Sequence, residues 1–325
     1  MDNKHLDYLD GWRGVAITFL MIGHFFPVPG INFGIVGVNL FFVLSGYLMG
    51  QLLFIKETPL PRFYRRRVSR IVPAHVFFLL SVTLFYFVTG KPINWYETAA
   101  ALFFVNNYFP GELGNLVMPF GHIWTLSVEE HSYILLSLVA IASRKHLANA
   151  KWTIASLTLF FSFVGFWYWS LYSGRELSGK WLHTEVSAYG IFCSAMILLL
   201  FVTIKIPRFP SVIYLLLFCI GIMMHWWSVP DPLKTTVGVG IFALTVNLLS
   251  NAPQLIKQLL SFKPLRLAGI WSFSIYLWQQ PFYVAYHSGI MPAYLAVSLA
   301  IGAGVTSFYL IENPIRLYLN KTWGK

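Results

Sequence analysis

Arg13 and His24 sit in one apolar segment with ten residues between them. On an α-helix, eleven steps of about 100° bring a side chain back to within roughly 20° of the same face, about 16 Å further along the axis. One face then carries a guanidinium at one membrane edge and an imidazole deep in the membrane. Ionisable groups at that depth are costly and mark functional positions by default. The pair suits a long anionic ligand whose reactive end reaches inward. The alternative is a snorkelling arginine and a histidine hydrogen-bonded to a neighbouring helix.

A second constellation is GHIWTLSVEEHSYILL, residues 121–136. Read as one helix, it puts His122 and Glu129, seven apart, on a shared face, and turns Glu130 toward Ser127 and Tyr133. Two adjacent carboxylates in an apolar segment need partners or a proton. A histidine–carboxylate pair is the usual way to orient and tune a general base. A buried network that merely holds helices together is the competing reading. The gathering of His122, Trp124, Glu129 and Glu130 in so short a stretch favours function.

The third is PRFYRRRVSRIVP, residues 61–73. Arg62, Arg65, Arg66, Arg67 and Arg70 crowd the mouth of the third predicted helix. Arginine forks bind phosphate bidentately. The same residues could instead anchor to anionic headgroups, at about 1 kcal/mol per cation. Arg67 and Arg70, at i and i+3, share a helix face, which fits a defined phosphate site better than a diffuse patch.

Weaker signals follow. Ser45, Gly46 and Gly50 in GVNLFFVLSGYLMG read as close-packing residues. SFSIYLWQQPF places Tyr276, Trp278 and Gln279 before Pro281, which interrupts helical hydrogen bonding. Glu312 and Arg316 read as a local i, i+4 pair. Glu185 suits either an interface or a pocket. No metal motif, nucleophile elbow or glycine-rich phosphate loop occurs in the sequence.

The elements that must position these residues follow from composition. Of 325 residues, 57% are hydrophobic and only 11% charged, and mean hydropathy is +0.64. A soluble domain carries about 25% charged residues, so the solvent here is lipid. Disorder is excluded for the same reason. The two cysteines, Cys193 and Cys219, exclude a disulfide scaffold. Continuous apolar runs, rather than alternating ten-residue segments, exclude a transmembrane barrel. The fold class is all-α, a polytopic membrane helix bundle. Ten spans are predicted, at 12–29, 33–55, 71–89, 121–142, 152–172, 182–204, 210–228, 233–250, 267–287 and 291–311. The apolar stretch 95–109 is too short to span and reads as interfacial or re-entrant.

The net charge of +11 would raise nucleic acid as a partner in a soluble protein. In a membrane protein it reads as the positive-inside rule, and no nucleic-acid partner is expected. With the N-terminus inside, every Lys and Arg falls in the cytoplasm except Lys91, Arg175, Lys180 and Lys234. The topology is then N-in and C-in. No cleavable signal peptide is expected, and residues 1–325 are expected to form a single transmembrane domain.

These motifs, in this order and spacing, resemble the acyltransferase-3 family of bacterial integral-membrane acyltransferases. The likeness runs from LDYLDGWRGVAITFLMIGH through FFVLSGYLM, FYRRRVSRIVP and HIWTLSVEEHSY to SIYLWQQP and IENPIR. It implies ten spans and transfer of an acyl group, commonly acetyl, from cytoplasmic acyl-CoA to hydroxyls of extracytoplasmic glycans, with no metal. It implies that Arg13, Arg67 and Arg70, with Arg66 beside them, bind the CoA phosphates. It implies that His24 is the essential histidine, supported by Glu129 or Glu130. His122, Trp124, Tyr133, Tyr276 and Gln279 are the substrate-binding candidates. Three positions depart from the family pattern. Gln279 stands where many members have His, which argues against a catalytic role for its helix. Asn39 replaces a frequent Asp, and His131 a frequent Gln. No stretch of the sequence resembles the fused hydrolase-like domain of many relatives, so transfer is expected to be completed either by the bundle or by a separate extracytoplasmic partner.

The physical and family readings converge on one mechanism. Acyl-CoA enters from the cytoplasm, its arm lies along the first helix, and His24 deprotonates an acceptor hydroxyl approaching from outside. Direct transfer and an acyl-histidine both fit. The expected acceptor is a carbohydrate or lipid-linked glycan, and the expected location is the cytoplasmic membrane. Rival readings are a longer or charged acyl group such as succinyl, a non-sugar acceptor, and a transporter or lipid-handling protein.

Overall fold

The computed structural model describes residues 6–109, 116–143, 146–172 and 179–323. Lys4, Arg144, Lys145, Arg175 and Lys325, which contribute to the charge asymmetry, lie outside the described residues.

The described residues form helices and no sheet, with isolated bridges at Val28–Ile31 and Ile31–Trp226. The helices are α1 Asp7–Phe25, α2 Phe33–Gly50, α3 Leu60–Val88, α4 Trp95–Leu102 and α5 Trp124–Ala142. They continue as α6 Leu147–Tyr172, α7 Thr184–Ser187, α8 Tyr189–Phe201, α9 Ser211–Met223 and α10 Asp231–Leu233. The last are α11 Val239–Leu248, α12 Gln254–Leu260, α13 Lys263–His287, α14 Ala293–Ser307 and α15 Asn313–Trp323. Wider π turns at Gln51–Ile55, Lys234–Gly238 and Phe308–Glu312 extend or join helices without breaking them. Six of the resulting elements are long and apolar enough to cross a membrane: Phe33–Ile55, Leu60–Val88, Gly121–Ala142, Asn149–Tyr172, Asp231–Asn251 and Ala293–Trp323. Tyr189–Phe201 and Ser211–Met223 are shorter apolar helices. The protein is an all-α membrane helix bundle.

Local sequence explains where the helices begin. Pro59, Pro210, Pro230, Pro253 and Pro292 occupy the positions just before α3, α9, α10, α12 and α14. A helix asks no N–H of that residue, so the missing donor costs nothing. Asn32 caps α2 by accepting from the Ile35 N–H, and Asn94 caps α4 by accepting from Tyr96 and Glu97. At eight residues α4 is about 12 Å long, too short to span, as expected of that stretch. Its end is pinned by Glu97, whose carboxylate accepts from the N–H groups of Val117 and Met118.

Two compact units interleave in the sequence. The first comprises Met1–Glu57, Glu129–Leu177 and His183–Ile270. In it α1 packs along α2, α2 packs on α8 and α11, and α6 packs on α8. Its core includes Trp12, Leu40, Val43, Leu44, Tyr47, Phe242 and Val246. The Trp12 indole donates to the Leu40 carbonyl at 3.0 Å, and the Asn247 amide donates to Ser194 Oγ at 2.9 Å. Such polar ties matter where lipid removes the hydrophobic drive between helices. The start of α1 approaches α12 and α13 backbone to backbone: a Cβ at Gly11 would lie 1.6 Å from the Leu260 carbonyl oxygen, and one at Gly269 would lie 1.8 Å from that of Asp10.

The second unit comprises Thr58–Val128, Ser178–Leu182 and Trp271–Lys325. Here α4 and α15 pack on α3. His75 donates through Nε2 to the Ala101 carbonyl at 3.1 Å and stacks on Phe104, joining α3 to α4.

Candidate active site

Of the residues singled out from the sequence, the first unit holds Arg13, His24, Glu129, Glu130 and Tyr133. Arg13 and His24 stand on one unbroken helix, α1. Arg13 Nη1 donates to Asp10 Oδ1 at 2.7 Å; Asp10 is buried, and the Arg13 side chain is 17% exposed. Five N–H donors in a fixed plane make the guanidinium sensitive to such an anchor, which sets where the fork points. A second pair, Asp7 with Arg266 at 2.5 Å, ties the start of α1 to the start of α13.

His24 lies half-buried in the last turn of α1. Its ring rests beside Gly34 near the start of α2: a Cβ there would lie 3.3 Å from His24 Cδ2 and 3.4 Å from Nε2. The adjacent Gly23 faces Gly34 so closely that a Cβ on it would fall 2.0 Å from the Gly34 nitrogen. The imidazole thus has a fixed floor of backbone, available because two glycines meet there.

Glu129 is half-buried on α5 and accepts from Ser45 Oγ of α2 at 2.6 Å. That is the short distance of a hydroxyl donating to a carboxylate. Glu130 is also half-buried. His131 Nδ1 meets Thr184 Oγ1 at 2.8 Å, and Tyr133 is among the largest fully buried side chains.

The second unit holds Arg66, Arg67, Arg70, His122, Trp124, Tyr276 and Gln279. The arginines of α3 separate by burial. Arg62, Arg65 and Arg66 are exposed, whereas Arg67 and Arg70 are half-buried on the face they share. Arg65 donates to the Trp323 carbonyl at 3.1 Å. Glu312, 1% exposed at the end of a π turn, accepts from Ser274 Oγ at 2.7 Å and lies within electrostatic reach of Arg70 and Arg316. A charge so buried needs that company. The expected Glu312–Arg316 pair is thus part of a larger arrangement that includes Ser274 and Arg70, and Arg316 Nη2 also donates to Asn313 Oδ1 at 2.8 Å.

His122 sits in a 3-10 turn, Gly121–Ile123, that leads directly into the α-helical geometry starting at Trp124. Its ring packs against Phe78 at 5.6 Å and Tyr276 at 5.2 Å. The Tyr276 hydroxyl donates to the His122 carbonyl and accepts from Thr125 Oγ1 at 2.6 Å. Trp124 packs edge-on against Trp181, and Gln279 is fully buried with Nε2 donating to Gln280 at 3.3 Å.

Sequence reasoning missed Asp10, Ser45 and His225. Ser45 was visible as a small residue in a packing motif; its hydroxyl was the unread signal. His225 gave none: it lies in an apolar run, and its partner Asn39, with Nδ2 at 3.0 Å from Nε2, is 186 residues away.

A family model described as an acyltransferase domain matches residues 6–311. O-acetyltransferase OatA of Staphylococcus aureus (strain NCTC 8325 / PS 47) is 27% identical over 350 aligned positions, covering 96% of this chain and 57% of that protein. Peptidoglycan O-acetyltransferase OatA of Listeria monocytogenes serovar 1/2a is 24% identical over 357 positions, covering 96% of this chain and 56% of that protein. The chain spans a little over half the length of these curated relatives. No solved structure matches it.

Proposed function

The chain belongs to the acyltransferase family whose model spans residues 6–311, and on that premise we propose that it is a membrane O-acyltransferase. It moves an acetyl group from cytoplasmic acetyl-CoA to a hydroxyl of an extracytoplasmic glycan. The relatives named as O-acetyltransferases support the reaction, and the peptidoglycan enzyme supports a carbohydrate acceptor. We further place ten spans in the cytoplasmic membrane, N-in and C-in, forming one transmembrane acyltransferase domain.

The observation that carries this reading is α1. A cation and an imidazole share one helix, about 16 Å apart along its axis. That separation fits part of an extended pantetheine arm. Arg13, Arg67 and Arg70 are assigned to the CoA phosphates, with Asp10 orienting Arg13 and exposed Arg66 adding positive charge. His24 accepts the proton of the acceptor hydroxyl as its oxygen attacks the thioester carbonyl. The tetrahedral intermediate collapses, the C–S bond breaks, and the CoA thiolate leaves and takes up a proton. Glu129, held by Ser45, orients or charge-balances the imidazolium, with Glu130 as the alternative carboxylate. His122, Trp124, Tyr133, Tyr276 and Gln279 line the substrate path. General base catalysis of this kind is worth about 10²–10⁴ in rate.

The test is acyl transfer from radiolabelled acetyl-CoA in membranes expressing the chain, followed by fractionation of glycans and lipids. Label entering a glycan fraction supports the proposal. Label entering only lipid, or none entering while acetyl-CoA binds, contradicts the acceptor or the acyl group respectively.

A further inference from the structure

The loop after His24 is built against a second element of the same unit. α1 ends at Phe25, and residues 26–32 turn back into α2. Gly30 adopts φ +92°, a left-handed conformation that glycine reaches without steric cost. A Cβ there would lie 2.8 Å from Cζ2 of Trp226, so the indole packs directly on the backbone. The Gly30 carbonyl accepts from the Trp227 N–H at 2.7 Å, and Ile31 forms a bridge with Trp226.

The turn that carries these tryptophans is anchored again from α2. His225 is buried, and its Nδ1 donates to the Gly221 carbonyl at 2.8 Å. A carbonyl can only accept, so Nε2 faces the Asn39 amide, 3.0 Å away, as the acceptor. The ring also stacks on Phe242 at 5.3 Å. Asn39, His225, the tryptophan turn and the loop after His24 are therefore linked in series. At the end of this scaffold Trp227 is 75% exposed, next in the chain to Trp226 at 37%.

A tryptophan that only anchors a protein at the lipid interface needs no such support, because it acts by partition and not by orientation. Trp152, 76% exposed on α6, is that kind of residue. We propose that the 224–229 turn forms the acceptor-side wall of the His24 site, where Trp227 stacks its indole on a sugar ring of the glycan and the Asn39–His225 hydrogen bond holds the turn in place. The inference rests on the glycan acyltransferase reading above and adds the residue that receives the acceptor. The C–H face of a pyranose is weakly positive and meets the negative face of the indole. Asn39 and His225 are positioning residues.

The test is equilibrium binding, so it does not depend on turnover. The probe is a soluble N-acetylglucosamine–N-acetylmuramic acid disaccharide, titrated onto the full chain in lipid nanodiscs and read by saturation-transfer NMR. Trp227→Ala should weaken binding about tenfold, the scale of one lost aromatic contact. Trp227→Phe should retain most of the affinity, and Trp152→Ala all of it. Asn39→Leu should weaken binding, and Asn39→Asp should rescue it by pairing with a protonated ring. Equal affinity in wild type and Trp227→Ala overturns the proposal and leaves Trp227 a lipid-interface residue. A wild type that binds no disaccharide overturns it too. Acetyl-CoA binding in the same preparations reads the donor side alone, so a failure there strikes the parent reading and not the stacking site.

Discussion

Ser45 on α2 and Glu129 on α5 lie 84 positions apart in sequence and meet at 2.6 Å, hydroxyl to carboxylate. The bond fixes one face of Glu129 and leaves its second oxygen to other partners. Ser45→Ala should remove a charge-assisted hydrogen bond worth about 1.5–3 kcal/mol. The expected outcome is a roughly tenfold fall in kcat with little change in the KM for acetyl-CoA. Ser45→Thr, which keeps the hydroxyl, should recover part of the loss. Steady-state kinetics on the purified chain decide it.

Gly34 provides a graded test of the His24 ring position. A Cβ there would press on Cδ2 and Nε2 at 3.3–3.4 Å and on Asn32 Oδ1 at 3.1 Å. Gly34→Ala should fold, shift the ring by a few tenths of an ångström and lower kcat about tenfold or more. Gly23→Ala should instead fail to fold, because its Cβ would fall 2.0 Å from the Gly34 nitrogen, a backbone atom. Gly302, with nothing within 4 Å of its Cβ, is the control, and Gly302→Ala should leave activity unchanged. Expression level, thermal unfolding and turnover separate the three.

The arginines of α3 should divide by burial. Arg67→Ala and Arg70→Ala, on the half-buried face, should each raise the KM for acetyl-CoA about tenfold or more. Arg62→Ala and Arg65→Ala, both exposed, should change it less than about threefold, and Arg66→Ala should fall between. Raising salt should close the gap for the exposed residues more than for the half-buried pair.

Glu312 should matter more than a surface ion pair would. It is 1% exposed, bonded to Ser274, and near Arg70 and Arg316. Glu312→Gln keeps the shape and removes the charge that Arg70 and Arg316 face. The expected outcome is lower thermal stability together with a raised KM for acetyl-CoA. A variant indistinguishable from wild type in both would contradict the role given to this carboxylate.

Much of the architecture was legible because lipid solvent imposes long apolar runs, and those runs carry helices here. The Arg13–His24 relation was also legible, since both lie on one uninterrupted helix whose geometry follows from spacing alone. The local geometry at His122 was not legible: it lies in a 3-10 turn that leads into α5, which spacing alone does not distinguish from the α-helix. What stayed hidden were contacts between distant segments. Ser45 with Glu129, Asn39 with His225 and Ser274 with Glu312 each join residues whose spacing carries no periodic signal. Glu312 looked like a helix-end ion pair because its i+4 neighbour is Arg316; only burial distinguishes the two cases.

The most direct test of the central claim is acetyl transfer by the purified chain and its His24→Ala variant, with acetyl-CoA affinity measured on both. The account predicts that His24→Ala binds acetyl-CoA as wild type does and transfers acetyl to glycan at least about 10²-fold more slowly. Transfer by His24→Ala at the wild-type rate would contradict it.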